Sequence, residues 1–134
     1  GGQLPGGPGA GALALASGWI DAHHATAVQR NLRLISYEGG QHLVGYGGAE
    51  NNVALTTLLT NANRDARMGA AYTSHLDAWR DHGGELFMHF TASGTYDKWG
   101  NWGAVEYLDQ TNTPKQQALL QFINANPCWW SGCD

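Results

Sequence analysis

Two segments of this chain read as buried β-strands, and a helix-rich stretch of about 45 residues separates them, long enough for a crossover connection. The first, Leu32-Arg33-Leu34-Ile35-Ser36-Tyr37, is short and apolar with partial alternation and runs into Glu38-Gly39-Gly40. The second, Glu85-Leu86-Phe87-Met88-His89-Phe90, runs into the small and polar residues Thr91-Ala92-Ser93-Gly94. Strands alternating with helices over such a separation predict parallel pairing through a right-handed crossover. Parallel strands need both faces covered and neighbours on their edges. Two alone make an incomplete sheet, so the sequence predicts either a C-terminal portion of a larger barrel or a unit that assembles with other chains.

Helical spacing fills the intervals. From Ala12 to Arg30 the residues Leu13, Ala16, Ile20 and Ala27, with Trp19 and Val28 alongside, predict a helix stopped at Asn31. A short helix is expected from Asn51 to Leu59. A longer one is expected from about Asn63 to His82, with Met68, Tyr72, His75 or Leu76, and Trp79 as its apolar stripe and Gly83-Gly84 as its end. A last helix begins at Pro114 under a Thr113 cap, with Leu119, Leu120, Phe122 and Ile123 on its buried side and Pro127 beyond its end. The division expected is a flexible Gly/Pro-rich lead-in over 1–11, a folded unit over 12–127 and a tail over 128–134.

With 134 residues, 43% hydrophobic and 13% charged, the chain is at most one globular domain. A net charge of −4, with scattered Lys and Arg, argues against nucleic acid and against an acidic membrane surface as partners. No apolar run reaches the length of a bilayer span. The chain opens on Gly1 and not Met, which points to a removed leader or to a piece of something longer. Both cysteines fall in Cys128-Trp129-Trp130-Ser131-Gly132-Cys133, where a local disulfide, and with it a secreted or periplasmic location, is the expectation. Two reduced thiols on a frayed tail are the alternative.

Glu38 is the leading candidate for chemistry. Barrel folds place catalytic carboxylates at the C-terminal ends of their strands, where the following loops build the pocket. Gly39-Gly40 lets the backbone turn sharply, and Gln41 and His42 can hydrogen-bond to hydroxyls or to the carboxylate. The plainer alternative is a solvated turn residue. The second strand delivers His89 and the loop Tyr96-Asp97-Lys98-Trp99-Gly100-Asn101-Trp102-Gly103 to the same end. In that loop Trp99 and Trp102 offer flat faces for sugar rings, while Asp97 and Asn101 can meet hydroxyls; filling the core is the alternative for the two indoles. Tyr37 either donates to Glu38 or to substrate, or packs inside a barrel. Glu106 is expected in a solvated structural role. Six histidines raise the question of a metal, but His23 and His24 are adjacent, His75 and His82 lie on a packed helix, and no His-Glu-x-x-His spacing occurs. No metal or other cofactor is expected, and neither a serine-nucleophile elbow nor a phosphate-binding loop is present.

From about Trp19 to Ile123, at Tyr37-Glu38-Gly39-Gly40-Gln41-His42, at Glu85 to Phe90 and at Trp99-Gly100-Asn101-Trp102-Gly103, the sequence resembles the last two βα units of the large clan of retaining glycoside hydrolases with (β/α)8 barrels. It is also similar to bacterial secreted cellulase-like and cellulose-binding proteins. The resemblance implies an α/β fold that is a partial (β/α)-barrel, with two parallel strands and about four helices, the last quarter to third of a TIM barrel. It implies Glu38 as nucleophile at the end of the seventh strand, and Trp99 or Trp102 beside the sugar. Retaining glycosidases need a second carboxyl group about 5–5.5 Å from the first. In this clan that acid/base follows an Asn at the end of the fourth strand, and no Asn-Glu pair occurs here. Alone, the chain would have to recruit Asp97 or Glu50. Hydrolysis of a β-linked polysaccharide is therefore expected. The alternatives are a noncatalytic carbohydrate-binding unit using Trp99, Trp102, Trp129 and Trp130, and a self-assembling barrel fragment whose copies, or a missing barrel portion, supply the absent strands.

Overall fold

A computed structural model of the chain describes residues 11–133. The lead-in expected over 1–11 lies outside the described residues except for Gly11, which is buried and occupies the N-cap of the first helix at φ 90°. The order of elements is α1 (Ala12–Val28), β1 (Ser36–Gly39), a single 3-10 turn (Ala49–Asn51), α2 (Val53–Arg64), α3 (Ala66–Asp81), β2 (Phe87–His89) and α4 (Pro114–Ala125). The fold is thus mixed α/β, with four α-helices and two strands that pair in parallel.

Local chemistry sets most of the ends. Asn31 stands in the left-handed region at φ 53°, and Leu32 N–H reaches back to Ala27 O at 2.9 Å, which closes α1 where the sequence places its stop. Asn52 caps α2 by accepting from Leu55 N–H. The two helices expected here are both present, but the break between them falls at Asp65 and not between Leu59 and Asn63: Asp65 adopts extended ψ and its carboxylate accepts from Arg67 N–H, ending α2 and starting α3. α3 buries Met68, Tyr72, Leu76 and Trp79 and ends at Asp81, with Gly83 in the left-handed region at φ 86° just beyond it. Thr113 caps α4 by accepting from Gln116 N–H, with Pro114 in the first turn.

α3 and α4 form the main helix pair, and Met68, Tyr72 and Ala118 are the buried cluster between them, with Leu119 against it. The buried face of α4 is Lys115, Ala118 and Phe122; Leu120 and Ile123, expected inside, are 47% and 59% exposed. α1 packs on α3 and buries only Ile20.

The ladder begins where Glu85 N–H donates to Leu34 O and Ser36 N–H to Leu86 O, and it ends where Phe90 N–H donates to Gly39 O. Ser36 pairs with Phe87 and Gly39 with His89, so three steps along β1 match two along β2. The strand therefore begins four residues later and ends two later than the apolar run Leu32–Tyr37 suggests, and Glu38 sits within it and not after it. No helix among the described residues is long and apolar enough to cross a membrane. A disulfide joins Cys128 and Cys133, and Trp129 fastens the tail by donating from Nε1 to Gly84 O at 2.9 Å and meeting Phe122 edge-on at 5.3 Å.

Candidate functional site

Beyond the C-terminal ends of both strands lies a cleft of about 400 Å³ lined by Glu38, Gly39, Gly40, Gln41, His42, Phe90 and Trp102. The extra residue in β1 helps to aim the carboxylate. Tyr37 and Glu38 together stand opposite Met88, and both are exposed while Ser36 and Gly39 on either side are half-buried. Such a bulge turns a side chain out of the regular alternation. Gly39 is required on packing grounds, since a Cβ there would lie 2.2 Å from the Phe87 ring.

The other wall is aromatic. Trp102 meets the His42 ring edge-on at 4.6 Å and Phe90 at 6.4 Å. Its loop is folded back along the segment after β2: Thr91 N–H donates to Trp102 O, Ala104 N–H to Thr91 O, and the buried Tyr96 hydroxyl to Gly103 O. Gly100, at φ 141°, leaves the room that the Trp102 indole occupies; a Cβ there would lie 2.1 Å from the ring.

Several residues expected at a ligand are employed elsewhere. Gln41 lines the cleft, yet both ends of its amide are taken, Nε2 by Asn101 O at 2.7 Å and Oε1 by Leu43 N–H at 2.7 Å. Asn101 is buried, and its Nδ2 donates to Leu43 O at 3.2 Å, so it holds loops together and does not face hydroxyls. Asp97 accepts from Trp99 N–H at 2.7 Å and shapes its own turn. Trp99 is 65% exposed and carries Lys98 over its ring at 4.6 Å, outside the cleft. Tyr37 borders a second depression with Trp19, Ile20 and His23 of α1, which Glu38 also borders. Trp129 and Trp130 pack edge-on at 4.5 Å and are half-buried, so they are not free platforms. Glu50 accepts from Gly48 N–H at 2.8 Å, and Glu106 forms a two-pronged pair with Arg64 at 2.7 and 2.6 Å, mostly buried and not solvated. Among the described residues Glu38 is the one carboxylate lining the cleft.

A polar network lies behind the cleft. Tyr72 Oη accepts from Gln41 N–H at 3.4 Å and stands 3.0 Å from His89 Nε2. His89 is thus half-buried against α3 and does not line this cleft; it borders a separate, mostly apolar depression with Leu119 and Trp129. Burial, helped by the positive charge of Lys115, pulls it down to about 4, while burial pushes Tyr72 up to about 12. Lys115 has no exposed surface. Its Nζ donates to Asn101 O at 2.6 Å and to Asn63 Oδ1 at 3.1 Å and sits 4.3 Å from the Tyr96 ring centre. Burial brings it down to about 7, with the Glu106 carboxylate acting in the opposite direction. Lysine ordinarily faces solvent, so Lys115 gives no strong signal in the sequence, although its spacing from Ala118 and Phe122 puts it on one helical face with them. Among the described residues no group of three His, Cys, Asp or Glu side chains is placed to hold a metal ion. Comparison of the chain with known protein families, curated proteins and solved structures found no match.

Proposed function

We propose that the cleft is the nucleophile half of a retaining glycoside hydrolase site, and that the chain is the C-terminal portion of a (β/α)8 barrel acting on a β-linked polysaccharide. One observation carries the reading: a bulged strand presents Glu38 to a cleft walled by Trp102, Phe90 and His42, at the C-terminal ends of two parallel strands. Trp102 would take the apolar face of a sugar ring, and His42 would hydrogen-bond to a hydroxyl. Glu38 would attack the anomeric carbon as the glycosidic C–O bond breaks, and the leaving oxygen needs a proton from a second carboxyl group. Asp97 and Glu50 hold their own turns, so that acid is expected from another part of the barrel, in a longer polypeptide or in a partner chain. A disulfide at Cys128–Cys133 supports a secreted or periplasmic setting.

An aryl 2-deoxy-2-fluoro-β-glycoside with a dinitrophenyl leaving group tests the nucleophile alone, because such a leaving group departs without a proton. The full chain should become covalently labelled on Glu38, as read by peptide mass spectrometry, and Glu38→Gln should not. The lone carboxylate favours one other reading, a noncatalytic carbohydrate-binding unit. Retained binding to β-glucan, xylan or mannan with no label on Glu38 would establish that reading in place of the first.

A further inference from the structure

The two walls of the cleft come from distant parts of the chain, the Gly40–His42 turn after β1 and the Trp102 loop after β2. Besides the His42–Trp102 ring contact and the Asn101 Nδ2 bond to Leu43 O, one backbone carbonyl ties them together and to α4. Asn101 O, immediately before Trp102, accepts from Gln41 Nε2 at 2.7 Å on one side and from Lys115 Nζ at 2.6 Å on the other. We propose that Lys115 is a positioning residue of the cleft, whose ammonium form holds the Asn101 carbonyl and so sets Trp102 against the Gly40–His42 turn. The proposal rests on the cleft being a carbohydrate site, and it reaches that site through the loop, since Lys115 itself touches no ligand space.

The surroundings of Nζ match a protonated amine. It has three recipients, Asn101 O, Asn63 Oδ1 and the Tyr96 face, and an ammonium group has three protons to give. A neutral amine has two protons and a lone pair, so one recipient is lost and the lone pair turns toward it. The charged and titratable groups around it come from every packed element. α2 brings Arg64, which is paired with Glu106 and lies over the Tyr96 ring at 5.7 Å. β2 brings His89, with Tyr72 of α3 bonded to it, the aromatic loop brings Tyr96, and Glu106 follows that loop. Arg64 keeps the Glu106 carboxylate low, His89 is neutral above about 4, and burial raises both phenols. Lys115, at about 7, is the member of this set that changes charge near neutrality.

Cellohexaose is the probe for affinity, and the Trp102 indole N–H resonance is the probe for the wall. In the wild-type chain the resonance should shift with a midpoint near 7, and cellohexaose should bind more tightly on the acid side. Because His42 also lines the cleft, two variants assign the transition. Lys115→Met should abolish it and weaken cellohexaose about tenfold on the acid side, roughly one hydrogen bond to a charged group. Asn63→Asp places a carboxylate on Nζ and should move the midpoint up by about one unit or more. A transition that persists in Lys115→Met, or that stays in place in Asn63→Asp, overturns the proposal. If Lys115→Met does not fold, Asn63→Asp decides alone. No binding of cellohexaose, xylohexaose or mannohexaose by the wild-type chain, with the Trp102 transition moving as described, would refute the carbohydrate site and leave the positioning of Trp102 standing.

Discussion

Burying the Lys115 amine costs stability wherever that amine is charged, and this makes folding depend on pH in a definite direction. An unfolded lysine keeps its proton up to about 10.4, whereas the folded one releases it at about 7. Between those values the unfolded state binds more protons, so stability rises with pH by up to about 1.4 kcal/mol per unit. Below about 7 both states are charged and the contribution is flat at its least favourable level. His89, lowered to about 4, acts in the same direction at acid pH, and Tyr72, raised to about 12, reverses the trend once an unfolded tyrosine ionises. Urea midpoints should therefore be higher near pH 9 than near pH 7 in the wild-type chain, and this difference should largely disappear in Lys115→Met. An equal rise in both proteins would exclude Lys115 as its source. The form expected to bind sugar is thus the less stable one, a familiar conflict between site geometry and stability. A strand followed by Gly-Gly and an aromatic loop are local patterns, and of the residues they single out Glu38, Gln41, His42 and Trp102 line one cleft. The bonds that Gln41, His89, Asp97 and Asn101 make within the chain were not legible, because closeness to a strand end does not reveal which polar groups the loops need for themselves.

Thr113 shows how much an element can depend on one hydroxyl. Its Oγ1 accepts from Gln116 N–H at 3.1 Å to cap α4 and donates to Ala104 O at 2.6 Å, tying the helix start to the end of the aromatic loop. Thr113→Ala should lose about 1–2 kcal/mol in thermal unfolding followed by circular dichroism, and Thr113→Ser should recover most of it. A cost confined to a few tenths would mean that water replaces both bonds. Caps of this kind were legible: Asn31, Gly83 and Thr113-Pro114 mark real ends because capping is chemistry among neighbours in sequence. The break between α2 and α3 was expected after Leu59 and falls at Asp65, whose carboxylate caps α3 by accepting from Arg67 N–H. The inward face of α4 was hidden. Its stripe contains a lysine, which reads as solvent-facing until Asn63, Asn101 and Tyr96 are seen to enclose it, while Leu120 and Ile123 face outward.

Those outward-facing residues belong to a larger pattern. Across the sheet, Ile35, Tyr37, Leu86, Met88 and Phe90 are all exposed, although α3 covers the opposite side through Phe87, which meets Trp79 at 5.6 Å and His75 at 5.7 Å. Parallel strands are normally covered on both faces, and a two-stranded sheet leaves an unpaired edge on each side. In a closed barrel the same face would be interior and the same edges would be paired. The uncovered face therefore predicts self-association of this chain by itself. Sedimentation should show a weight-average mass that rises above one chain with concentration, and Met88→Lys, which puts a charge on the open face without touching the α3 side, should return it toward one chain with its helix content intact. A wild-type chain that stays monomeric and cooperatively folded at every concentration would mean that the α3–α4 pair stabilises the two strands unaided, and the case for a missing barrel would lose its physical basis.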